Sequence, residues 1–137
     1  MNRLEFSNLL GDFRRQSNTK IVDICAQMGV LPGDIRRIEK GLHAYSMEKP
    51  ITFIKVIGGE IVLYKENSRF VIDSVQSISH WLKKARDGKY SQRALALEIG
   101  CTYPTIANIE RGSNKVTVDN FLKLTDKLGY TIKIESL

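Results

Sequence analysis

The stretch that most constrains the fold runs from Gln92 to Gly112 and reads QRALALEIGCTYPTIANIERG. Its apolar and small residues recur at helical spacing, in two runs that meet at Gly100. A glycine at that point can adopt the left-handed backbone that a tight turn between helices requires. Pro104 suits the first turn of the second run, where a missing N–H has no cost. We expect Thr102 to cap that run with its hydroxyl.

Three small or branched residues predict how these two runs pack. Ala96 is small enough for the second helix to cross the first closely, and Ile106 and Ile109 point into the angle between the helices. With the glycine turn, this pattern indicates a helix-turn-helix. The alternative is two ordinary core helices joined by a glycine turn. The polar character of the exposed face favours the helix-turn-helix, and that face is formed by Tyr103, Thr105 and Asn108.

Composition and charge narrow the classes of function. The chain has 137 residues, of which 42% are hydrophobic and 26% charged, as expected for one domain or two small ones with a modest core. A net charge of +6 favours a polyanionic partner. No apolar run approaches the roughly 18 residues of a membrane span, and the N-terminus lacks a secretory signal. We therefore expect a cytoplasmic protein.

The cysteines and histidines indicate neither an enzyme nor a metal site. Cys25 and Cys101 lie within apolar helical patterns and are expected to be small buried residues rather than a disulfide. There is no CxxC motif, and His43 and His80 are isolated in the sequence. Because these residues form no nucleophile–base or ligand set, we expect no catalysis, no cofactor and no metal.

Helical periodicity and the positions of glycine and proline predict the remaining elements. The first part of the chain is expected to form helices at 4–15, 20–28, 32–40 and 47–57, the last capped by Ser46 or a neighbour, and strands at 60–65 and 69–73. The same order then recurs, with helices capped by Asp73 or Ser74, by Ser91 and by Thr117. These later elements are predicted at 74–86, 92–99, 102–111 and 118–128, with a strand at 130–135.

The two parts of the chain form an internal repeat at the level of sequence. A shift of 71 residues places Gly29 on Gly100 and Ile35 on Ile106. The closing Ile-Glu-Lys-Gly at 38–41 falls on Ile-Glu-Arg-Gly at 109–112, and upstream of the helix-turn-helix the shift becomes 72. This agreement predicts two domains, at 1–68 and 69–137.

Each half resembles the Cro/C1-type (XRE) helix-turn-helix DNA-binding family. In the second half the resemblance lies in Ser91-Gln92, Ala96, Gly100, Ile106 and the Ile-Glu-Arg-Gly at 109–112. The last strand is similar to that of HipB-type antitoxins, in which such strands from two subunits pair. The resemblance implies a mainly α fold with two lambda-repressor-like bundles of four or five helices. A small antiparallel sheet would join them into a pseudo-dimer within one chain.

The resemblance also implies roles for individual residues. Gln92 would bond a phosphate, and Asn108 can make paired hydrogen bonds to adenine. The family often pairs an arginine of the first helix with the glutamate of the closing motif, which here would be Arg86 with Glu110 and Arg14 with Glu39. The expected DNA-binding residues of the second half are Ser91, Gln92, Thr102, Tyr103, Thr105, Asn108, Arg111, Asn114 and Lys115, the last three lying beside the phosphate backbone.

The first half departs from the family pattern where DNA contacts would be made. Lys20-Ile21 replaces Ser91-Gln92, and Leu31-Pro32-Gly33-Asp34 replaces the residues at 102–105. Asp34 would repel phosphates. The positive charge is larger in the second half: residues 1–68 carry ten Lys or Arg and eight Asp or Glu, against eleven and seven in 69–137. One interpretation is that the first half has lost much of its readout. The other is that it reads a different sequence through Arg36 and Arg37.

These observations lead to two functional hypotheses. The first is a sequence-specific transcriptional regulator that binds double-stranded DNA with the recognition helix at 102–111, either as a monomeric pseudo-dimer or as a homodimer. Two recognition helices roughly 34 Å apart would fit successive major grooves. The alternative is an antitoxin or other interaction module that binds a toxin protein through the first half and represses its own promoter.

Overall fold

The computed structural model describes residues 1–112 and 116–137 and is mainly helical, as predicted. The helices and strands of these residues agree with the predicted ones to within one or two residues at most ends. In chain order they are α1 (Arg3–Gln16), α2 (Ile21–Met28), α3 (Pro32–Lys40), α4 (Glu48–Ile57), β1 (Gly59–Lys65), β2 (Ser68–Ile72), α5 (Val75–Arg86), α6 (Gln92–Ile99), α7 (Tyr103–Glu110), α8 (Val118–Leu128) and β3 (Thr131–Ser136).

Side-chain caps begin several of the helices. Ser74, Ser91 and Thr117 each accept a backbone N–H three residues ahead, which satisfies a donor that the first turn leaves free. Gly29 and Gly100 end α2 and α6 with φ of 69° and 74°. This left-handed conformation is easy for glycine and costly for other residues, so the two glycines fix the turns that follow α2 and α6.

Two predicted caps are wrong. Thr102 occupies the position before α7, but its hydroxyl lies 2.9 Å from the Thr105 hydroxyl instead of accepting a backbone N–H. The residue before α4 is Met47, which makes no side-chain cap. Ser46 instead pairs with Thr117 in an isolated antiparallel bridge. Local sequence favours both caps. In the structure the Thr102 hydroxyl faces the Thr105 hydroxyl, and Ser46 is held by the distant Thr117.

Trp81 is the largest fully buried side chain of the core among the described residues. Its ring lies 5.9 Å from that of Phe121 and 5.4 Å from that of Tyr130, centre to centre. Cys25 is buried as expected, whereas Cys101 is only half-buried, because it lies in the turn between α6 and α7 and not within a helix. Among the described residues, no helix is long and apolar enough to cross a bilayer.

The three strands form one antiparallel sheet in the order β2-β1-β3. β2 and β3 each differ from the predicted range by one residue: β2 ends before Asp73, and β3 begins after Tyr130. Tyr130 packs instead against Phe70, with ring centres 6.0 Å apart, and against Trp81. β1 is therefore the central strand, and β3 reaches it from the far end of the chain.

The pairing of β1 with β3 has a symmetric register. Val62 lies opposite Lys133, the residue 71 positions later. On either side, Ile61 pairs with Ile134 and Leu63 pairs with Ile132. Exchanging every residue for the one 71 positions away therefore reproduces five of the six pairs, all except Gly59 with Ser136.

A second contact between the halves has the same symmetry. Met47 donates its backbone N–H to the Val116 carbonyl at 2.8 Å, and Val118 donates to the Tyr45 carbonyl at 2.9 Å. Each bond becomes the other under the same 71-residue exchange. The two hydrogen bonds are therefore reciprocal.

Candidate nucleic-acid interface

α6 and α7 form the helix-turn-helix that the sequence indicates. Ala96 is 2% exposed, and Ile106 and Ile109 are buried in the angle between the helices. The backbone N–H groups of Gly100 and Cys101 bond to carbonyls of the last turn of α6, including that of Ala96. The turn is thus hydrogen-bonded, and the isoleucines fix the angle at which α7 presents its outer face.

The buried carboxylate of Glu110 joins three elements behind that face. Its oxygens accept from Nε and Nη2 of Arg86, at 2.5 and 2.9 Å, and from Nε2 of Gln92 at 3.0 Å. Arg86 also donates through Nη1 to the Tyr90 carbonyl at 3.0 Å. The end of α5, the start of α6 and the end of α7 are therefore held together by one charged group.

The ionisation of this cluster follows from its contacts. Burial by itself would raise the pKa of Glu110, but hydrogen bonds from Arg86 and Gln92 outweigh it, and the pKa is lowered from its ordinary value of 4.5. The hydrogen bond with Glu110 raises the pKa of Arg86. Both groups are consequently charged at neutral pH, which makes the contact a charge-assisted pair.

The first half contains the same ion pair. Arg14 donates through Nε and Nη2 to Glu39, at 2.5 and 3.1 Å, and through Nη1 to the Thr19 carbonyl at 3.2 Å. Both pairs implied by the family resemblance are thus confirmed. The Arg86 pair forms although Arg86 stands one residue closer to Gln92 in sequence than Arg14 stands to Ile21. Ile21 stands where the second half has Gln92, so this position offers Glu39 no side-chain donor.

Gln92 is less free than its predicted role requires. Its side chain is half-buried, and one of its two N–H bonds is directed to Glu110. The other N–H and the amide oxygen remain for an external partner. Ser91 is exposed, but its hydroxyl caps α6 by accepting the Ala94 N–H at 3.0 Å. Sequence spacing alone does not reveal either internal contact.

Tyr103 and Arg93 form one side of the outer face. Tyr103 is 40% exposed, and the guanidinium carbon of Arg93 lies 4.7 Å from the centre of its ring. This distance is that of a cation–π contact. Sequence spacing does not predict a role for Arg93, because it stands ten residues before Tyr103 and meets that ring only once α6 and α7 are packed.

Arg111 and Asn108 form the other side of the face. Arg111 is exposed and donates through Nη2 to the amide oxygen of Asn108, which directs the Asn108 NH2 group away from it. Thr105 is half-buried, and its hydroxyl lies 2.9 Å from that of Thr102 at the helix start. Of the predicted site residues, Asn114 and Lys115 lie outside the described residues. Of the others in the second half, Gln92 contacts the end of α7 through Glu110, and five lie on α7 or at its caps: Thr102, Tyr103, Thr105, Asn108 and Arg111.

The corresponding face of the first half has a different chemistry. Val22, Leu31 and Leu42 are 63%, 73% and 67% exposed. By the 71-residue shift they stand at the positions of Arg93, Thr102 and Ser113. Apolar side chains thus replace an arginine and two hydroxyls.

Arg36 and Arg37 are both exposed on α3. Nη1 of Arg37 lies 3.6 Å from Asp34, whose other oxygen accepts the Leu31 N–H at 3.0 Å. Asp34 is therefore engaged by the helix it starts, and both arginines remain accessible.

Comparison with protein families bears on the second half. Residues 82–134 match the family model described as Helix-turn-helix. This range begins in α5, includes α6, α7 and α8, and ends within β3. The match supports the helix-turn-helix family, a DNA-binding family, for this half. Comparisons with curated proteins and with solved structures gave no significant match.

Proposed function

We propose that the chain is a sequence-specific DNA-binding transcriptional regulator that places α7 in the major groove. The outer face of α7 carries this proposal. It presents an amide at Asn108 and an aromatic ring at Tyr103, bordered by the cations of Arg93 and Arg111. Amides can read base edges, and cations can bind the phosphates on either side of a groove.

We further propose that the two halves are a tandem repeat that functions as a pseudo-dimer. The reciprocal register around Val62 and Lys133 supports this, as do the reciprocal bonds of Met47 and Val118. The matching ion pairs of Arg14 and Arg86 are a third, independent similarity. In this proposal one chain places a helix-turn-helix unit at each of the two half-sites of the DNA, and only the second half reads the base sequence.

The experiment that tests the regulator proposal begins by selecting duplexes from a random-sequence pool with the wild-type protein. Affinity for the selected duplex is then compared between wild type and Asn108→Ala. Loss of a paired amide–base contact is expected to cost about 1–3 kcal/mol, or roughly 5- to 150-fold in Kd. Asn8→Ala, an exposed asparagine on α1, is the control and should leave affinity unchanged. If no duplex is enriched, the proposal is wrong.

The exposed apolar side chains of the first half favour a second candidate function, an interaction module such as an antitoxin. Val22, Leu31 and Leu42 are each more than 60% exposed, and apolar side chains gathered on one surface suit a protein partner. Co-expression with the product of a neighbouring gene tests it. Co-purification that is abolished by Leu31→Lys and retained by Asn108→Ala would support the interaction module over the regulator.

A further inference from the structure

A basic groove lies in the first half, beside the end of α3. It has a volume of about 360 Å³ and is lined by Arg37 from α3, Lys49 from the first turn of α4, and His43 and Tyr45 from the connection between them. Arg37, His43 and Lys49 are all exposed, and the Arg37 side chain is 75% exposed. The groove is therefore open to a large partner and carries two permanent positive charges.

The 71-residue shift gives this groove a specific relation to the second half. Arg37 stands at the position of Asn108, and Lys49 stands at the position of Asn120. Two amides, which can both donate and accept hydrogen bonds, are thus replaced by two cations, which only donate. The change adds two positive charges, which favour binding to backbone phosphates.

One acidic residue opposes this charge. Asp34 also lines the groove, and its carboxylate, which lies 3.6 Å from Arg37 and accepts the Leu31 N–H, offsets part of the charge of Arg37. Lys49 supplies the positive charge that remains. Lys49 lies in the first turn of α4, where the helix dipole disfavours a cation. An anion in the groove would offset the charge of Lys49 and so favour its position in the first turn of the helix.

The groove also lies next to the contact between the halves. Tyr45 lines it, and the Tyr45 carbonyl accepts the Val118 N–H at 2.9 Å, at the start of α8. The neighbouring Ser46 pairs with Thr117, which begins α8. The groove of the first half therefore lies beside the contact that joins this half to the start of α8.

We propose that the groove binds a DNA backbone phosphate without reading sequence, so that the chain recognises an asymmetric operator. This inference rests on the proposed regulator function. The second half reads bases through α7, and Arg37 and Lys49 hold the backbone on the far side of the Ser46–Thr117 bridge. The selected operator then has one conserved half-site and a flank of any sequence.

The test uses the full chain and the duplex obtained by selection. Kd is measured against salt concentration for wild type, Arg37→Ala, Lys49→Ala and the control Lys55→Ala, which removes an exposed lysine from the last turn of α4. Each groove variant is expected to weaken binding by the same factor on the operator and on a random duplex, and to reduce the salt slope by about one. Lys55→Ala should match wild type. Shortening the operator on the flanking side should abolish the difference between wild type and the groove variants.

The possible results separate the two proposals. If wild type binds no duplex, the regulator function and the groove both fail. If wild type binds but the groove variants behave like Lys55→Ala, only the groove proposal is wrong. A palindromic selected operator, or a change of base preference in Arg37→Ala, would also overturn it, because the first half would then read sequence. Melting temperatures equal to wild type confirm that each variant is folded.

Discussion

Glu110 binds the guanidinium of Arg86 with both carboxylate oxygens, and the side chain of Glu110 is only 5% exposed. The pair closes the helix-turn-helix from behind, since Arg86 ends α5 and Glu110 ends α7. Removing one partner leaves the other charge poorly solvated, and such losses exceed the net value of the pair itself.

We therefore expect Glu110→Gln to destabilise the fold by about 2–3 kcal/mol, because the charge of Arg86 would lose its partner in a half-buried position. Chemical unfolding followed by the fluorescence of Trp81, the single tryptophan, measures this. The matched control is Glu98→Gln, which breaks the surface pair with Lys127 at 2.8 Å and should cost less than about 1 kcal/mol. Equal losses in the two variants would contradict a special role for Glu110.

The lowered pKa of Glu110 predicts how this contribution depends on pH. A carboxyl group whose pKa is lower in the folded state stabilises the fold above its unfolded pKa, and this stabilisation disappears as the pH falls through the folded value. The stability advantage of wild type over Glu110→Gln should thus be constant at neutral pH and shrink as the pH falls below the ordinary value of 4.5. Urea unfolding of both proteins between neutral pH and pH 3 tests it. An advantage that grows on acidification would contradict the expected direction.

The left-handed turn at Gly100 predicts a purely conformational cost. Gly100 has a φ of 74°, and a Cβ built there would meet nothing within 4 Å. Gly100→Ala should consequently cost about 1–2 kcal/mol from backbone strain alone. Gly33→Ala is the control, because Gly33 also has open space but no positive φ, and alanine is the better helix former. Thermal melts should show a lower Tm for Gly100→Ala and an equal or higher Tm for Gly33→Ala.

Much of the fold could be predicted because its signals are local. Gly29 and Gly100 end helices through their own backbone conformation, and Ser74 and Ser91 cap helices three residues ahead. Local signals do not predict that β1 is the central strand. The strand order depends on which strand β3 pairs with, and four helices separate β3 from β2.

The candidate site was harder to predict than the fold. The position of α7 and the polarity of its face follow from helical spacing, but the partners of its side chains do not. Gln92 bonds to a carboxylate 18 residues away, and Arg93 lies over the ring of Tyr103. Thr102 bonds to Thr105 instead of to the backbone. In each case the competing partner exists only after α6 and α7 have packed.

Gln92 bonds to Glu110 and is also expected to bond to a phosphate, so one substitution should have two separable effects. Gln92→Ala removes a hydrogen bond to Glu110, whose Oε1 still accepts from Arg86, so the stability loss should be about 1 kcal/mol. If the remaining N–H of Gln92 also binds a phosphate, the variant should weaken binding to all duplexes alike and reduce the salt slope by about one. Gln27→Ala, an exposed glutamine on α2, should change neither quantity. A stability loss with an unchanged salt slope would assign Gln92 to the Glu110 cluster alone and remove it from the DNA-binding residues.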